Sequence, residues 1–372
     1  MNWFYTIILV ITSYFLLLTI CNILYLRIQS KKPSVKKGPM ISVMVPARNE
    51  EENIRSCLEY LLDQDYENYE ILVMNDNSTD KTGEILEEME REHARLKVFN
   101  GQPLAKGWFG KPYALQQLAK HAKGDYFLFT DADTIHNRTS LSFCMTNALH
   151  HKADLLSGYP RELIGTFGEV MNVSAMYIMT TIIMPLPAID LMKWKQASFC
   201  LGQYFFINSN VFRDIGGFEP VRHEITEDVA FGKEVKYRGY KTKFLDAQKH
   251  VACQMYKSFG ESFRGIGKNV YNAVGRNWLL LAGIALLILV FIDYPFVRLV
   301  TDLVAGNRPL SYLIPVGMFY LMWLVNVIDR RLPLYSFLLY PFQFFNVLVM
   351  AVFFTIRFKF GHGIVWKNRT MD

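Results

Sequence analysis

The stretch YFLFTDADTIH, residues 126–136, indicates both how the chain folds and what it can bind. Its first four residues are apolar or aromatic and predict a short strand buried on both faces. Asp131 and Asp133 follow directly. Ligands of an open parallel sheet bind beyond the carboxyl ends of its strands, and two neighbouring carboxylates can hold a divalent cation that carries phosphate oxygens. The same Asp-x-Asp pattern is typical of a solvated turn, so the surrounding segments must decide.

Strand-like and helix-like segments alternate from about residue 40 to residue 275. Apolar runs at 40–47, 69–76 and 96–99 predict three strands, and the segments between them carry apolar residues at helical spacing. A helix-like segment, 111–122, precedes the strand quoted above. This alternation predicts an α/β domain whose parallel sheet is covered on both faces by helices.

Acidic residues stand where these predicted strands end. Glu50 follows the first strand, Asp76 ends the second, and Asp131 and Asp133 end the fourth. One such carboxylate is usually a cap or a turn residue, but several at successive strand ends favour a cleft for a polar or metal-bound ligand. Lys111 opens a helix after a glycine-containing loop, where it would attract phosphate, although the loop is not a P-loop and could equally be a flexible surface segment.

A second acidic pair, Glu227 and Asp228, follows Thr226, which can cap a helix. Carboxylates in the first turn of a helix stabilise it against the helix dipole, and this alone accounts for both residues. General base catalysis is the alternative interpretation.

Apolar segments stand near both ends of the chain, which is 51% hydrophobic and carries a net charge of +6. Residues 3–26 are long enough to span a bilayer, and the basic cluster that follows predicts a retained anchor, 1–27, with the next domain in the cytoplasm. Three more apolar runs predict a transmembrane region at 276–357. No basic helix of the kind that binds nucleic acid is present.

The sequence leaves the topology of the C-terminal region open. Arg330 and Arg331 predict a cytoplasmic turn, and the basic tail, 358–372, which includes Lys367, also favours the cytoplasm. The turn and the tail lie on either side of the last apolar run, so they cannot both be cytoplasmic if that run crosses the membrane. The Met-rich segment 168–194 has three interpretations, a core helix, a membrane-surface helix or a span, of which we favour the surface helix. The five scattered cysteines predict buried free thiols in a reducing compartment.

Five motifs occur in an order that resembles family 2 glycosyltransferases with the GT-A fold: VMVPARNEEENI, ILVMNDNSTDKT, YFLFTDADT, GGFEP and ITEDVAFGKEVKYRGY. The resemblance covers roughly residues 40–275 and implies a Rossmann-like, mixed but mostly parallel sheet, accompanied by one N-terminal and about three C-terminal transmembrane helices. Within the family the chain most resembles membrane-bound enzymes that glycosylate lipids, the diaponeurosporenoate (carotenoid) glycosyltransferases first and ceramide glucosyltransferases more distantly.

The resemblance also implies roles for individual residues. Asp131 and Asp133 would bind Mg²⁺ or Mn²⁺, and Asp228 would act as general base beside Glu227. The residues implied to bind the donor are Pro46, Ala47, Arg48, Glu50, Asp76, Lys111, Asp131, Arg264 and Lys268. Asn75 stands where many relatives have a further aspartate.

The implied reaction is an inverting transfer of one hexose, glucose from UDP-glucose, to a lipid acceptor such as a carotenoid acid or another polyisoprenoid or glycolipid. The implied place is the cytoplasmic face of the cell membrane. The Q-x-x-R-W motif of processive polymer synthases is absent, since SFRGIGKN occupies its region. The alternatives are a polysaccharide synthase and a non-catalytic membrane protein with a degenerate transferase domain.

Overall fold

A computed structural model of the chain describes residues 3–198, 200–273, 277–307, 310–359, 364–366 and 369–371. The chain divides into two compact units. The sheet unit comprises Tyr25–Glu162 and Leu186–Gln254. The helical unit comprises Met1–Leu24, Leu163–Pro185 and Met255–Asp372.

Short strands separated by helices form the sheet unit, as the sequence predicts. The strands are β1 (Ile41–Ala47), β2 (Tyr69–Asn75), β3 (Leu96–Asn100), β4 (Tyr126–Phe129), β5 (Thr134–His136), β6 (Leu155–Tyr159), β7 (Arg161–Glu162), β8 (Phe205–Asn208), β9 (Thr242–Asp246) and β10 (Val251–Cys253). The helices are Ile54–Leu62, Thr82–Glu92, Gly110–Ala119, Ser140–His151, Ala188–Leu191, Ser209–Asp214 and Glu227–Tyr237, with a 3₁₀ turn at Glu219–Val221.

Seven strands make one sheet in the order β3-β2-β1-β4-β8-β6-β9. β1 runs parallel to its neighbours β2 and β4, whereas β8 runs antiparallel to both β4 and β6. The prediction of a mixed, mostly parallel sheet is therefore confirmed. A small second sheet has the order β5-β10-β7.

Both faces of the large sheet are covered, because successive side chains of a strand point to opposite faces. In β1, Val43 and Val45 belong to one apolar cluster and Met44 belongs to the other. All three are fully buried. Burial on both faces explains why these strands read as continuous apolar runs in the sequence.

Four described helices are long and apolar enough to cross a membrane: Trp3–Gln29, Trp278–Val304, Ser311–Asp329 and Leu334–Arg357. The prediction of one N-terminal and three C-terminal helices of this kind is confirmed. The side of the membrane on which each end lies stays a prediction. Lys367 and part of the predicted tail, 358–372, lie outside the described residues.

The remaining described helices of the helical unit are shorter. A continuous helical run covers Phe167–Ile183 with a π-helical segment at Val170–Ser174, and a further helix covers Phe259–Ala273. Val173 and Ile178 of the first run are buried inside this unit. The first part of the segment 168–194 thus packs in a core, and the membrane-surface interpretation of the whole segment stays a prediction. The described tail strands Ile364–Trp366 and Arg369–Met371 pair with each other.

Candidate active site

The turn after β4 positions the two aspartates of the Asp-x-Asp motif. The amide of Thr130 extends the strand pairing by donating to the carbonyl of Met44 at 3.2 Å. The chain then turns tightly, since the amide of Thr134 donates to the carbonyl of Asp131 at 3.2 Å. Asp131 and Asp133 consequently lie in a short turn between two strands, at the carboxyl edge of the sheet.

The buried side chain of His136 supports this turn through hydrogen bonds. Thr130 donates its hydroxyl hydrogen to the carbonyl of Gln203 at 2.9 Å, so its oxygen accepts from Nε2 of His136 at 2.7 Å. Nδ1 of His136 then accepts from the hydroxyl of Ser140 at 2.8 Å. Burial lowers the pKa of His136 to about 3. The imidazole is therefore neutral and acts as part of the scaffold.

Lys111 joins the Asp-x-Asp turn to the second acidic pair. Its ammonium lies 2.5 Å from Oδ1 of Asp131 and 3.1 Å from Oε1 of Glu227. Burial disfavours the charged ammonium, but the carboxylates of Asp131, Glu227 and Asp228 outweigh this effect and hold the pKa of Lys111 well above its usual value. A fixed positive charge thus stands among carboxylates that are far apart in the sequence.

Asp228 is held by backbone amides rather than by a cation. Its Oδ2 accepts from the amide of Gly202 at 2.6 Å, and its Oδ1 accepts from the amide of Val229 at 2.8 Å. Removal from water and the negative charge of Glu227 raise the pKa of Asp228 to about 7, although Lys111 opposes the shift. This carboxyl group is suited to exchanging a proton near neutral pH. The helix begins at Glu227 as predicted, but Thr226 makes no side-chain capping bond, so that part of the prediction is wrong.

Gly202 is a site residue that the sequence reasoning did not single out. A Cβ atom added here would lie 2.7 Å from Nζ of Lys111 and 3.2 Å from Oδ2 of Asp228. The glycine therefore leaves space beside the backbone for both the ammonium and the carboxylate. A single glycine before a predicted strand does not indicate a site by itself. Its role here depends on Lys111, about 90 positions upstream, and on Asp228, 26 positions downstream.

The loops after β1 and β2 brace each other. The amide of Asp76 donates to the carbonyl of Ala47 at 2.8 Å, and the guanidinium of Arg48 donates to the carbonyl of Asp76 at 2.7 Å. The amide of Glu50 donates to the hydroxyl of Thr82 at 2.8 Å. These bonds connect the carboxyl ends of two adjacent strands. We call residues 46–50 together with Asp76 the ledge.

Two further observations concern the same ledge. Pro46 pairs in register with Met74 inside the sheet. The side chain of Asn75 accepts from the amide of Ser78 at 3.1 Å. Asn75 therefore stabilises the turn, and the neighbouring Asp76 accepts from the side-chain amide of Asn77 at 3.3 Å.

The sheet unit brings together most of the residues singled out from the sequence. Pro46, Ala47, Arg48, Glu50 and Asp76 lie at the carboxyl ends of β1 and β2. Lys111 pairs with Asp131 and Glu227, and the charge of Asp228 also acts on its ammonium. Asp133 lies two positions after Asp131 in the same turn. Arg264 and Lys268 lie on the helix Phe259–Ala273 of the helical unit, and their predicted contact with the donor remains untested.

The oxygen atoms of Asp131 and Asp133 fit a hard divalent cation. Within the described ranges no three His, Cys, Asp or Glu side chains are grouped so as to hold a metal ion. Mg²⁺ and ions like it commonly use only one or two carboxylates and take their other ligands from water and substrate phosphates. The pair is thus suited to an ion that arrives with a phosphorylated ligand. Cys253 supports Asp133 by directing its thiol toward Oδ1 at 3.8 Å.

A mixed sheet with an acidic cluster and a lysine at its carboxyl edge defines an α/β protein of the GT-A type. The chain matches the model of glycosyl transferase family 2 over residues 42–228, about half its length, and it belongs to that family. A mannosyltransferase from Pyrobaculum calidifontis, solved in complex with GDP-Man and Mn²⁺, has a similar fold, with a TM-score of 0.54, 16% identity and coverage of 96% of this chain and 99% of that one.

Two curated relatives illustrate the range of the family. The chain is 28% identical over 238 residues to a 4,4'-diaponeurosporenoate glycosyltransferase of Staphylococcus haemolyticus, which covers 63% of this chain and 61% of the relative. It is 26% identical over 223 residues to a poly-beta-1,6-N-acetyl-D-glucosamine synthase of Staphylococcus aureus, which covers 58% of this chain and 50% of the relative. The matches therefore span about half to three fifths of these relatives.

Proposed function

We propose that the protein transfers one hexose, glucose from UDP-glucose, to the hydroxyl or carboxyl group of a lipid acceptor and inverts the anomeric carbon. The observation that carries the proposal is the arrangement around Gly202, whose amide donates to Oδ2 of Asp228 at 2.6 Å and whose missing side chain leaves room for the ammonium of Lys111. Burial and the charge of Glu227 raise the pKa of Asp228 to about 7 at this place. Membership of glycosyl transferase family 2 supports the reaction class. The relative that acts on a carotenoid acid supports the lipid acceptor.

Asp228 is the general base of this proposal. It takes the proton from the acceptor oxygen as that oxygen attacks C1 of the sugar, and the bond between C1 and the diphosphate breaks on the opposite side. A single displacement of this kind inverts the configuration at C1. Glu227 keeps the ammonium of Lys111 in place and raises the pKa of its neighbour Asp228.

Negative charge develops on the departing diphosphate, and Lys111 supplies positive charge where it appears. Asp131 and Asp133 would hold Mg²⁺ or Mn²⁺, and such an ion stabilises the same charge when it is bound. Arg264 and Lys268 are proposed to contact the diphosphate. The ledge formed by Pro46, Ala47, Arg48, Glu50 and Asp76 is proposed to bind the nucleotide, with Asp76 meeting the uracil or the ribose.

The proposed location is the cell membrane, with the transferase domain, residues 40–275, on its cytoplasmic side. The basic cluster after the N-terminal helix supports this orientation. The anchor is residues 1–27 and the second membrane region is residues 276–357. The four apolar helices support membrane association.

A processive polysaccharide synthase is the second candidate, because one relative makes a polymer of N-acetylglucosamine. The absence of a Q-x-x-R-W motif favours the transfer of one sugar. Membranes that contain the full chain should be incubated with labelled UDP-sugars and lipid extract, and the products should be identified by mass spectrometry. We expect a labelled lipid that carries one hexose. A product that lengthens with donor supply would indicate a synthase, and no labelled product with any UDP-sugar would indicate a non-catalytic protein.

A further inference from the structure

Six consecutive residues of the sheet unit, LMKWKQ at 191–196, are exposed. Leu191 is 82% exposed and Trp194 is 68% exposed. Large apolar side chains that stand together on a surface mark a site of interaction with another molecule or with a membrane. We call residues 191–196 the Trp194 tip.

The residues on either side of the Trp194 tip are held in place by hydrogen bonds and an ion pair. Ile189 is buried, and its carbonyl accepts from the ammonium of Lys236. The carboxylate of Asp190 pairs with the ammonium of Lys243, and both side chains are largely buried. The amide of Ala197 donates to the carbonyl of Trp194 at 2.9 Å and closes the far side. The exposure of the tip is therefore built into the fold of this unit.

The chemistry of the tip matches the interface of an anionic bilayer. Lys193 and Lys195 alternate with Met192 and Trp194, and the tip contains no acidic residue. Lys195 also lies over the ring of Tyr237 at 6.0 Å. Tryptophan and tyrosine favour the depth of the lipid headgroups, and lysines near the surface are attracted to anionic lipids. A protein partner would account for the apolar residues but not for this interleaving with lysine.

We propose that the Trp194 tip inserts into the interfacial layer of the bilayer, with Leu191 below the headgroups, Trp194 at their depth, and Lys193 and Lys195 on anionic lipid phosphates. The proposal does not rest on the four apolar helices or on the proposed sugar transfer. The contact anchors the sheet unit to the membrane through its own surface. Its strength depends on the anionic lipid content and falls at high salt.

Spin-label accessibility tests the insertion in the full chain. Cys21 is exposed and the other four cysteines are buried, so a Cys21→Ala background allows a label at a chosen position. Trp194→Cys is compared with Tyr60→Cys, because Tyr60 is an aromatic residue of the same unit that is 44% exposed. Both proteins are placed in vesicles of phosphatidylcholine alone or mixed with phosphatidylglycerol.

We expect the label at 194 to be more accessible to oxygen than to a water-soluble nickel chelate. The ratio of oxygen to chelate accessibility should be higher in vesicles that contain phosphatidylglycerol. The label at 60 should be equally open to the chelate in both vesicles. Equal chelate accessibility at 194 and 60 would overturn the proposal, as would spin–spin broadening at 194 that reports a second copy of the chain. Adding Lys193→Gln and Lys195→Gln should abolish the effect of phosphatidylglycerol, and persistence of the effect would overturn the assignment of the lysines.

Discussion

Gly202 donates its backbone amide to Oδ2 of Asp228 at 2.6 Å, while its missing side chain leaves room for Nζ of Lys111. The same residue thus orients the proposed base and admits the cation that stands beside it. A substitution here changes the site without changing any of its charged residues.

Gly202→Ala should displace the ammonium of Lys111, because the new Cβ would lie 2.7 Å from Nζ. The flexible lysine can move away, so we expect folding to persist and the transfer rate to fall roughly tenfold to a hundredfold, the cost of misplacing a reacting group. Gly283→Ala is the control, since nothing lies within 4 Å of a Cβ there. Equal rates for the two variants would contradict the role of Gly202.

The transfer rate should depend on the protonation of Asp228. A base must be deprotonated, so kcat/KM should rise with pH through about 7, the pKa of this group, and level off above it. Glu227→Gln removes a negative charge that raises this pKa, and the acid limb should move to lower pH. If the pH profiles of the variant and the wild type coincide, the rise of kcat/KM at low pH reports the titration of another group.

Asp133→Asn should weaken the use of a divalent ion while the fold stays intact. We expect the Mn²⁺ concentration for half-maximal transfer to rise at least about tenfold, the loss typical of disturbing even a supporting partner of a metal ligand. Asp63→Asn is a matched control, because Asp63 is an exposed carboxylate paired only loosely with Arg138 at 3.9 Å. An unchanged Mn²⁺ requirement in Asp133→Asn would exclude this aspartate as a ligand.

His136 should make stability depend on pH in a defined direction. Its pKa is lowered to about 3 by burial, so between this value and about 6.5 the unfolded state binds the extra proton. The contribution of the histidine is therefore complete above about pH 6.5 and is lost as the pH falls. His136→Gln should cost about 1–3 kcal/mol at pH 7.5, where it removes buried hydrogen bonds.

Thermal unfolding in detergent at pH 7.5 and pH 5 measures this effect. The difference in Tm between the wild type and His136→Gln should narrow at pH 5, because only the wild type loses the contribution of a buried neutral imidazole. A constant difference would mean that His136 takes up its proton at pH 5 in the folded protein as readily as in the unfolded chain.

Sequence patterns predicted the strands and the long apolar helices well because burial on both faces and hydropathy are local properties. The direction in which a strand runs relative to its neighbours is not determined by its own residues. Phe205–Asn208 reads as a strand, but nothing in its four residues indicates that it runs antiparallel between two neighbours. Asp131 and Asp133 were found because two carboxylates after a strand have a recognisable pattern.

The partners of the site residues were not predictable in the same way. Lys111 meets Glu227 across more than 100 residues of chain, so their ion pair depends on the packing of two helix N-termini on one sheet edge. Gly202 is decisive only because both charged groups arrive beside it. The shifted pKa of Asp228 is likewise a property of assembled neighbours and of lost water.

Asp228→Asn tests the central claim most directly. The amide oxygen of asparagine can still accept from Gly202, so the site should keep its shape and its affinity for UDP while it loses the base. We expect UDP binding by calorimetry within about twofold of the Asp63→Asn control, and a fall in hexose transfer to lipid of about a hundredfold to ten-thousandfold. Transfer at the rate of the control would contradict the account, because the proton would then be taken by another group.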